Sequence, residues 1–567
     1  MRFLITVVLS SLLIVLFAGW VGMRAPAGRF TALRAIPDSR FTPFIVALVA
    51  MLVIWYVWGS LNQVSVIHDE ASYLLQAETF AHGHWAMPSP PLPAFFEQFH
   101  VFVTPTFASK YPPGHGIVLV PGIWLGLPGL VPLLLNGLAA ALLFVLVRRV
   151  TNGWVALLTF ILWLPLRSNL EFRPSYFSEN TTSVLWFLGW WSLMEWRDTG
   201  RERWLIVIAG CVGWMAITRP LTAVAFAIPV GVVVLWRTAR TRQWRALVRP
   251  ALVGLAIVSL LPIWSAKVTG SWRVTPYGLY SKMYFPFDAM GFGLDTTPPQ
   301  RPLPPDMKLL IKPFGPMHSE HTVGNLPEIL YRRWRIMFND AFRGYRLPFV
   351  LFALVSLAVL PAAGWFAVAA SFFLTLCYLI FAHTPSWNIY YLEIMPLFPF
   401  LTACGIWAVW QTLHRQGADI RSASLHTVTP QAALAAVVLG ALWLVPARAE
   451  VVQAKRQQAE WHAYQLSFRT AVAQLPGAQK IVFIRYAPWH DIHRSLIANE
   501  ADLPDARTWF VYDRGAENTE LLALAPSRTA YLFDESSRMI ERLVVPPGGT
   551  SGAKQRDSTP AAAKPGL

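Results

Sequence analysis

The sequence predicts an all-α polytopic membrane protein of about twelve transmembrane helices, with a small C-terminal extracytoplasmic α/β domain. Three observations lead there. Of the 567 residues, 55% are hydrophobic and only 14% charged, with a mean hydropathy of +0.43, too apolar for an ordinary soluble chain. Apolar stretches of roughly 17–25 residues recur, the length a helix needs to cross a hydrocarbon core of about 30 Å. After residue 448 the composition shifts to short β-rich runs separated by polar segments.

Spans are expected near 3–22, 42–60, 117–147, 152–167, 180–196, 204–218, 221–236, 250–266, 347–363, 365–383, 392–412 and 430–447. Backbone facing lipid must bond within its own segment, so each is read as a helix. The first ends in Ala18, Gly19, Trp20 and Val21 without a small-x-small cleavage pattern and is read as an uncleaved span. The third is too long for one upright helix, and Pro121, Pro128 and Pro132 predict a short interfacial helix over 114–126 that feeds the span.

Arginines set the orientation. They cluster after the first span (Arg24, Arg29, Arg34, Arg40), after the third (Arg148, Arg149), after the fifth (Arg197, Arg201, Arg203) and after the seventh (Arg237 to Arg249). Arg415 and Arg421 follow the eleventh. These loops are read as cytoplasmic, which puts 61–116, 168–179, 267–346, 384–391 and everything after 448 outside. The net charge of +16 lies in these short clusters and not on one face, so it is read as orientation charge and attraction to anionic lipid; no nucleic-acid partner is expected. Cys211, Cys377 and Cys404 lie inside apolar segments without metal-ligand spacing and are read as small buried hydrophobes.

The expected domains are an N-terminal span and cytoplasmic loop (1–41), a transmembrane domain (42–447), an outer α/β domain (448–545) and a disordered tail (546–567). In the third, helical spacing of Val452, Trp461, Tyr464, Phe468, Val472 and Leu475 predicts an amphipathic helix over 449–475. Ile481–Tyr486, Trp509–Tyr512 and Ala530–Phe533 follow as strands. His490-Asp491-Ile492-His493 is a candidate polar cluster, with a solvated loop the plainer reading.

Asp69 and Glu70 stand within about ten residues of the end of the second span, and ionisable groups near membrane depth usually face a polar cavity. Two readings are open for the pair: a functional site, or acids favoured by the dipole at the start of a helix running through Glu78. Further along the loop, Lys110-Tyr111-Pro112-Pro113-Gly114 sets a cation beside the start of another helix, a seat for phosphate or an interfacial anchor and turn.

The Asp69-Glu70 pair followed by Tyr73, Ala77, Gly83, Trp85 and Lys110-Tyr111-Pro112-Pro113 resembles the first outer loop of GT-C glycosyltransferases. The similarity is to the branch with aminoarabinose transferases, protein O-mannosyltransferases and rhizobial lipopolysaccharide-core transferases. It continues through Arg219-Pro220 and through Asn388, Tyr390, Tyr391, Leu392 and Pro396, covering roughly residues 45–410. The resemblance implies a GT-C-like fold and transfer of a sugar, with inversion, from a polyprenyl-phosphate donor to a glycan, lipid or protein acceptor. It implies a multi-pass protein of the bacterial inner membrane with its active site on the extracytoplasmic face.

By the same resemblance Asp69 is the general base, and Glu70 orients the acceptor, holds a divalent ion or supports Asp69. Lys110 and Tyr390 or Tyr391 bind the lipid phosphate, with Tyr111, Tyr73 and His68 as neighbours. Glu179 is preferred over Glu171 as the second-loop acid. Arg219 and Arg273 are candidate cavity cations, with Arg167, Arg173 and Lys267 also near outer span ends, where snorkelling to the headgroups is the plainer reading. Asn388-Ile389 stands where many relatives carry an arginine before the tyrosine, which puts one phosphate contact in doubt. Tyr280 to Gly293, with Tyr284, Phe285 and Asp288, looks like a covering loop whose aromatics could stack on a sugar or an isoprenoid, with ordinary interface packing the plainer reading of those rings. No cofactor is firmly indicated; a divalent cation is the one candidate, and His68, His115 and His383 serve it only if they converge. A lipid-linked glycan flippase or an inactive assembly subunit of the same fold are the alternatives. The outer acids with Lys110, and the lack of an inverted repeat, weigh against them.

Overall fold

Most of the apolar stretches become helices, and the polar segments between them fold as well. The computed structural model describes residues 37–413, 430–543 and 558–560. The expected first span therefore lies outside the described residues. Helix α1 (Thr42–Trp58) carries Pro43 in its first turn, where no intrahelical donor is lost, and ends on Gly59 in the left-handed region at φ 88°. The first outer loop then forms α2 (His68–Ala81) and a small antiparallel sheet in the order β1–β3–β2, from Met87–Pro88, Val101–Phe102 and Thr106–Ser109.

As expected, the long third stretch splits, into α3 (Pro113–Trp124) and α4 (Leu130–Val150). Helix α5 (Gly153–Trp163) begins where Asn152 accepts the amides of Trp154 and Val155. The chain continues through α6 (Arg167–Phe172), α7 (Glu179–Thr199), α8 (Glu202–Ala216), α9 (Pro220–Thr241), α10 (Val248–Val258) and α11 (Leu260–Thr269). The long outer segment holds α12 (Pro276–Tyr284), α13 (Pro305–Leu309), α14 (Ile311–Glu320) and α15 (Leu326–Phe342). Helices α16 (Phe349–Val359), α17 (Ala362–Cys377) and α18 (Leu397–Leu413) complete the bundle.

Among the described residues, four helical stretches are long and apolar enough to cross a membrane: Leu130–Val150, Pro220–Thr241, Trp244–Thr269 and Ala362–Ile380. Val323–Phe342 with Gly344–Val359, bent by 90°, makes a fifth if counted as one. The twelve spans expected from sequence are not matched by helices of that length among the described residues. At 1.5 Å per residue, the 11 residues of α5 reach only about 17 Å, and the 21 of α7 include Glu179, Glu195, Arg197 and Asp198.

The expected last span and the amphipathic segment after it form one continuous 45-residue helix, α19 (Pro430–Gln474), about 68 Å long. It carries the chain into the C-terminal domain. There β4 (Lys480–Arg485) lies between β5 (Thr508–Tyr512) and β6 (Thr529–Asp534), all parallel; α20 (Asn518–Leu524) connects the last two. Strand β7 (Met539–Arg542) pairs antiparallel with β6, and Ser558–Pro560 pairs with it as β8; the rest of the tail expected to be disordered lies outside the described residues.

Strand alternation explains how this domain is held. Successive side chains point to opposite faces. Ile481, Phe483, Trp509, Val511 and Ala530 pack with Phe95, Phe96 and Val101 of the first outer loop. Val482, Ile484, Phe510, Tyr512 and Phe533 pack with Phe468 and Val472 of α19. The sheet is therefore buried on both faces, sandwiched between its own helix and the loop that carries Asp69.

Candidate active site

The site is built around the start of α2. Glu70, the third residue of that helix, is buried and accepts three backbone amides: Val66 (2.9 Å), Ile67 (3.2 Å) and Tyr176 (3.0 Å). Two of these are donors left free at a helix start, and the third ties α2 to the segment before α7. The helix-start reading thus accounts for Glu70, whose oxygens are used in holding backbone. The adjacent Asp69 points elsewhere and keeps about 30% side-chain exposure.

Tyr111 donates its hydroxyl to Oδ1 of Asp69. On the other side His68 Nδ1 lies 2.9 Å and His100 Nε2 3.6 Å from Oδ2. Burial opposes the charge on Asp69, but His100 and His68 more than offset it and hold the carboxyl well below its usual range. Burial first, then the Lys110 charge, pushes His100 down to about 3, so its imidazole is neutral at pH 7.

Tyr111 also orders the next shell. Its ring stacks on Tyr73 at 4.6 Å, and Tyr73 donates to Ser178 at 3.0 Å. Ser178 and Glu179 both accept from Arg219, at 3.3 and 2.5 Å, while its other terminal nitrogen donates to Tyr378 at 2.7 Å. The guanidinium carbon stands 5.4 Å from the centre of the Tyr390 ring. Tyr390 lies within electrostatic reach of Asp69, Arg219 and Glu179 together.

Lys110, at the end of β3, is only 2% exposed. Its ammonium faces the rings of Tyr277 (4.6 Å), Tyr280 (4.9 Å) and Tyr111 (5.3 Å), and among the described residues no carboxylate reaches it as an ion pair. Burial lowers its pKa, partly countered by Asp288 and Asp69. A buried cation surrounded by ring faces, without an acceptor, is arranged to meet an anion from outside.

Asp69, His68, Tyr73, Lys110, Tyr111, Glu179, Arg219 and Tyr390 thus gather in one place. The other expected residues do not join them in the same way. Arg273 is exposed and lies over Trp272, away from the cluster. Tyr391 is fully buried and turned the other way, bonded to Arg333 and His383. Glu171 pairs with Arg167 on the helix surface, and Lys267 is exposed. Arg173 is buried behind the site on Asn169, Asn136 and Ser183. His68, His115 and His383 do not converge: His115 is bonded to Thr181 and Tyr176, and His383 to Thr384 and Tyr391.

Of the two readings of 280–293, the plainer one holds for its aromatics, which form a packed wall. Tyr280, Tyr284 and Phe285 are buried with Phe99 and Phe102, and Asp288 pairs with His318. The solvated reading of His490 to His493 holds for Asp491, which is exposed, but not for the histidines: His490 is buried against Glu535, and His493 lies 5.6 Å from His68, ring centre to ring centre. Residues that sequence reasoning missed include His100, Tyr277 and Glu393, a buried acid that accepts from Thr182 beside the Arg219 cluster. Glu393 had one signal, a carboxylate two residues after Tyr391 at the mouth of an apolar helix. His100 had none.

No protein-family description and no curated protein matches the chain. Among solved structures, ArnT from Cupriavidus metallidurans bound to undecaprenyl phosphate superimposes with a TM-score of 0.50 at 13% identity, over 87% of this chain and 93% of that one. The apo form of the same protein gives 0.47 at 14% identity, over 86% and 92%. The oligosaccharyltransferase of Archaeoglobus fulgidus gives 0.41 at 10%, over 87% and 70%. At 13% identity the first of these shows architecture alone: the chain has the fold of ArnT, the GT-C arrangement expected from the Asp69 and Lys110 segments.

Proposed function

We propose that this chain is a membrane glycosyltransferase that moves a sugar, with inversion, from a polyprenyl-phosphate donor to an acceptor on the extracytoplasmic side. The observation that carries the reading is Tyr111, which joins an ionised acid to a buried cation: its hydroxyl binds Asp69 and its ring borders the Lys110 ammonium. An acceptor hydroxyl attacks the anomeric carbon while the bond from that carbon to the phosphate oxygen breaks. Asp69 takes the hydroxyl proton, the role of a general base. The leaving polyprenyl phosphate gathers negative charge, and Lys110 and Arg219 are the cations placed to stabilise it.

Arg219 also answers the missing arginine before Tyr390, since it reaches the same tyrosine from the start of α9. Glu179 holds Arg219 in place and Tyr73 steers it through Ser178. The fold shared with ArnT, whose structure holds undecaprenyl phosphate, supports a lipid phosphate as the carrier. The C-terminal domain acts as a cap that brings His493 over His68.

The test is transfer from a polyprenyl-phosphate sugar by purified protein in proteoliposomes. Asp69→Asn keeps size and hydrogen bonding but not basicity, so transfer falls by about two orders of magnitude or more, with unchanged melting. Wild-type turnover in that variant refutes the assignment.

A further inference from the structure

The two histidines beside Asp69 are not ordinary buried histidines. Buried polar atoms are hydrogen-bonded as a rule. Yet Nδ1 and Nε2 of His68 and Nδ1 of His100 are buried without a hydrogen-bond partner. The remaining nitrogen, Nε2 of His100, reaches Asp69 only at 3.6 Å, too far for a hydrogen bond. His68 Nδ1 comes to 2.9 Å of the same oxygen but is not aligned to donate to it. By contrast, both ring nitrogens of His115 and of His383 are bonded.

Atoms that converge without bonding one another have the disposition of ligands around a common cation. One ligand atom each from His68, Asp69 and His100 lies within 4.8 Å of the other two. The two edges that meet at Asp69, 2.9 and 3.6 Å, straddle the roughly 3.3 Å edge of a tetrahedron with ligands at about 2.0–2.1 Å.

The rings are also held where they are. His68 stacks on Phe99 at 4.7 Å and meets His100 edge-on at 4.5 Å. His100 sits in the left-handed region at φ 62°, an uncommon conformation for a residue with a side chain. Three bonds impose it: the His100 amide donates to Tyr280 at 2.7 Å, and its carbonyl accepts from Ser72 and from the Lys110 amide, each at 2.9 Å. Backbone strain that is over-determined in this way is typical of functional sites.

We propose that His68, Asp69 and His100 form a divalent-metal site. Two imidazoles and one carboxylate are a borderline donor set, which suits zinc and disfavours magnesium or calcium. Three protein ligands leave a tetrahedral ion one position for an outside oxygen, and a bound ion there would polarise it. The inference deepens the transferase reading and rests on it for the origin of that oxygen, a donor phosphate or an acceptor hydroxyl. The ligand set itself stands on the geometry alone.

The experiment is metal content of the purified full-length chain after chelator stripping, zinc loading and removal of excess, read by elemental mass spectrometry. Competition with a chromogenic chelator gives the affinity. Wild type should hold one zinc per chain. His68→Ala and His100→Ala should each weaken it by more than roughly 100-fold, the upper scale for loss of a supporting outer-shell group, with melting unchanged. Loading with cobalt(II) should give the visible absorption of a tetrahedral site, absent from both variants. Wild type that retains no zinc, or zinc that is equally tight in both alanine variants, overturns the proposal. Absence of zinc beside loss of transfer in Asp69→Asn sinks the metal site and leaves the base standing. One zinc lost in both variants, beside normal transfer by Asp69→Asn, does the reverse.

Discussion

Lys110→Met separates a residue kept for function from one kept for the fold. Moving an ammonium out of water costs several kcal/mol even after relaxation. The ring contacts at 4.6–5.3 Å return about 2 kcal/mol when desolvated, and no ion pair adds to that. Methionine is unbranched, of similar reach and able to fill an irregular gap. The fold therefore loses little or gains, and the melting temperature should hold within a few degrees or rise. Function should behave oppositely. A lysine on a phosphate makes a charge-assisted hydrogen bond of about 1.5–3 kcal/mol, and stabilising charge that develops on a leaving oxygen is worth about 2.7–4 kcal/mol. At 1.36 kcal/mol per decade, kcat/KM should fall by about 10- to 1000-fold. The assay pairs a detergent melt with transfer from a labelled polyprenyl-phosphate sugar. Wild-type transfer, or a loss of transfer that merely follows a collapsed melt, contradicts the reasoning.

Three further perturbations probe other links. Glu70→Ala leaves three backbone amides unpaired, those of Val66 and Ile67 half-buried and that of Tyr176 fully buried, the last alone at about 1–3 kcal/mol; melting should drop along with transfer, unlike in Asp69→Asn, and a native melt rejects the structural role given to Glu70. A methyl group on Gly405 would stand 1.7 Å from the Phe352 carbonyl oxygen, so Gly405→Ala must force α16 and α18 apart at about 3 kcal/mol or more, whereas Gly210→Ala meets nothing within 4 Å and should be neutral; equal melts contradict the packing. Burial, only partly offset by the Tyr512 hydroxyl, raises buried Asp306 to about 6, and burial likewise raises Glu78, which accepts the Ala501 amide, to about 7. Because both folded values lie above the ordinary carboxylate range, this stability is complete at low pH and is lost as pH rises through about 6 to 7. Hydrogen exchange in β5 should be slower at pH 5.5 than at pH 7.5 once corrected for intrinsic rates, and Asp306→Asn should flatten the difference; faster exchange at pH 5.5 contradicts the sign.

The α/β domain was largely legible. Its three parallel strands fall within a residue of the β-rich runs read from the sequence, because each is apolar on both faces and bounded by polar segments. The strand Met539–Arg542 was not, since its Met-Ile-Glu-Arg sequence alternates weakly and is held by pairing with β6. Hydropathy placed nearly every helix of the bundle, but among the described residues fewer of them than expected are of membrane-crossing length. It measures how apolar a window is, whereas length depends on where prolines, glycines and charges break the backbone bonds. It also divided α19, because an apolar half followed by an amphipathic half looks like two elements although one helix runs through both, past Pro446.

Within the site, chain order alone pointed to Asp69, Lys110 and Arg219, each conspicuous as a charge set among apolar neighbours. It left Asp69 and Glu70 equivalent. Folding separated them: on a helix, adjacent residues point about 100° apart, so Glu70 turns back to its own amides while Asp69 turns to Tyr111. Likewise Tyr390 and Tyr391 part, one toward Arg219 and the other toward Arg333. His100, 31 residues after Asp69, and His493, from the far end of the chain, became neighbours of the acid only through packing of α2, the small sheet and the C-terminal domain. Local composition carries the cost of burying each side chain, and therefore the helices, the sheet and the few suspicious charges. Which charge meets which partner is a property of distances between segments remote in sequence, and those exist only once the segments have packed.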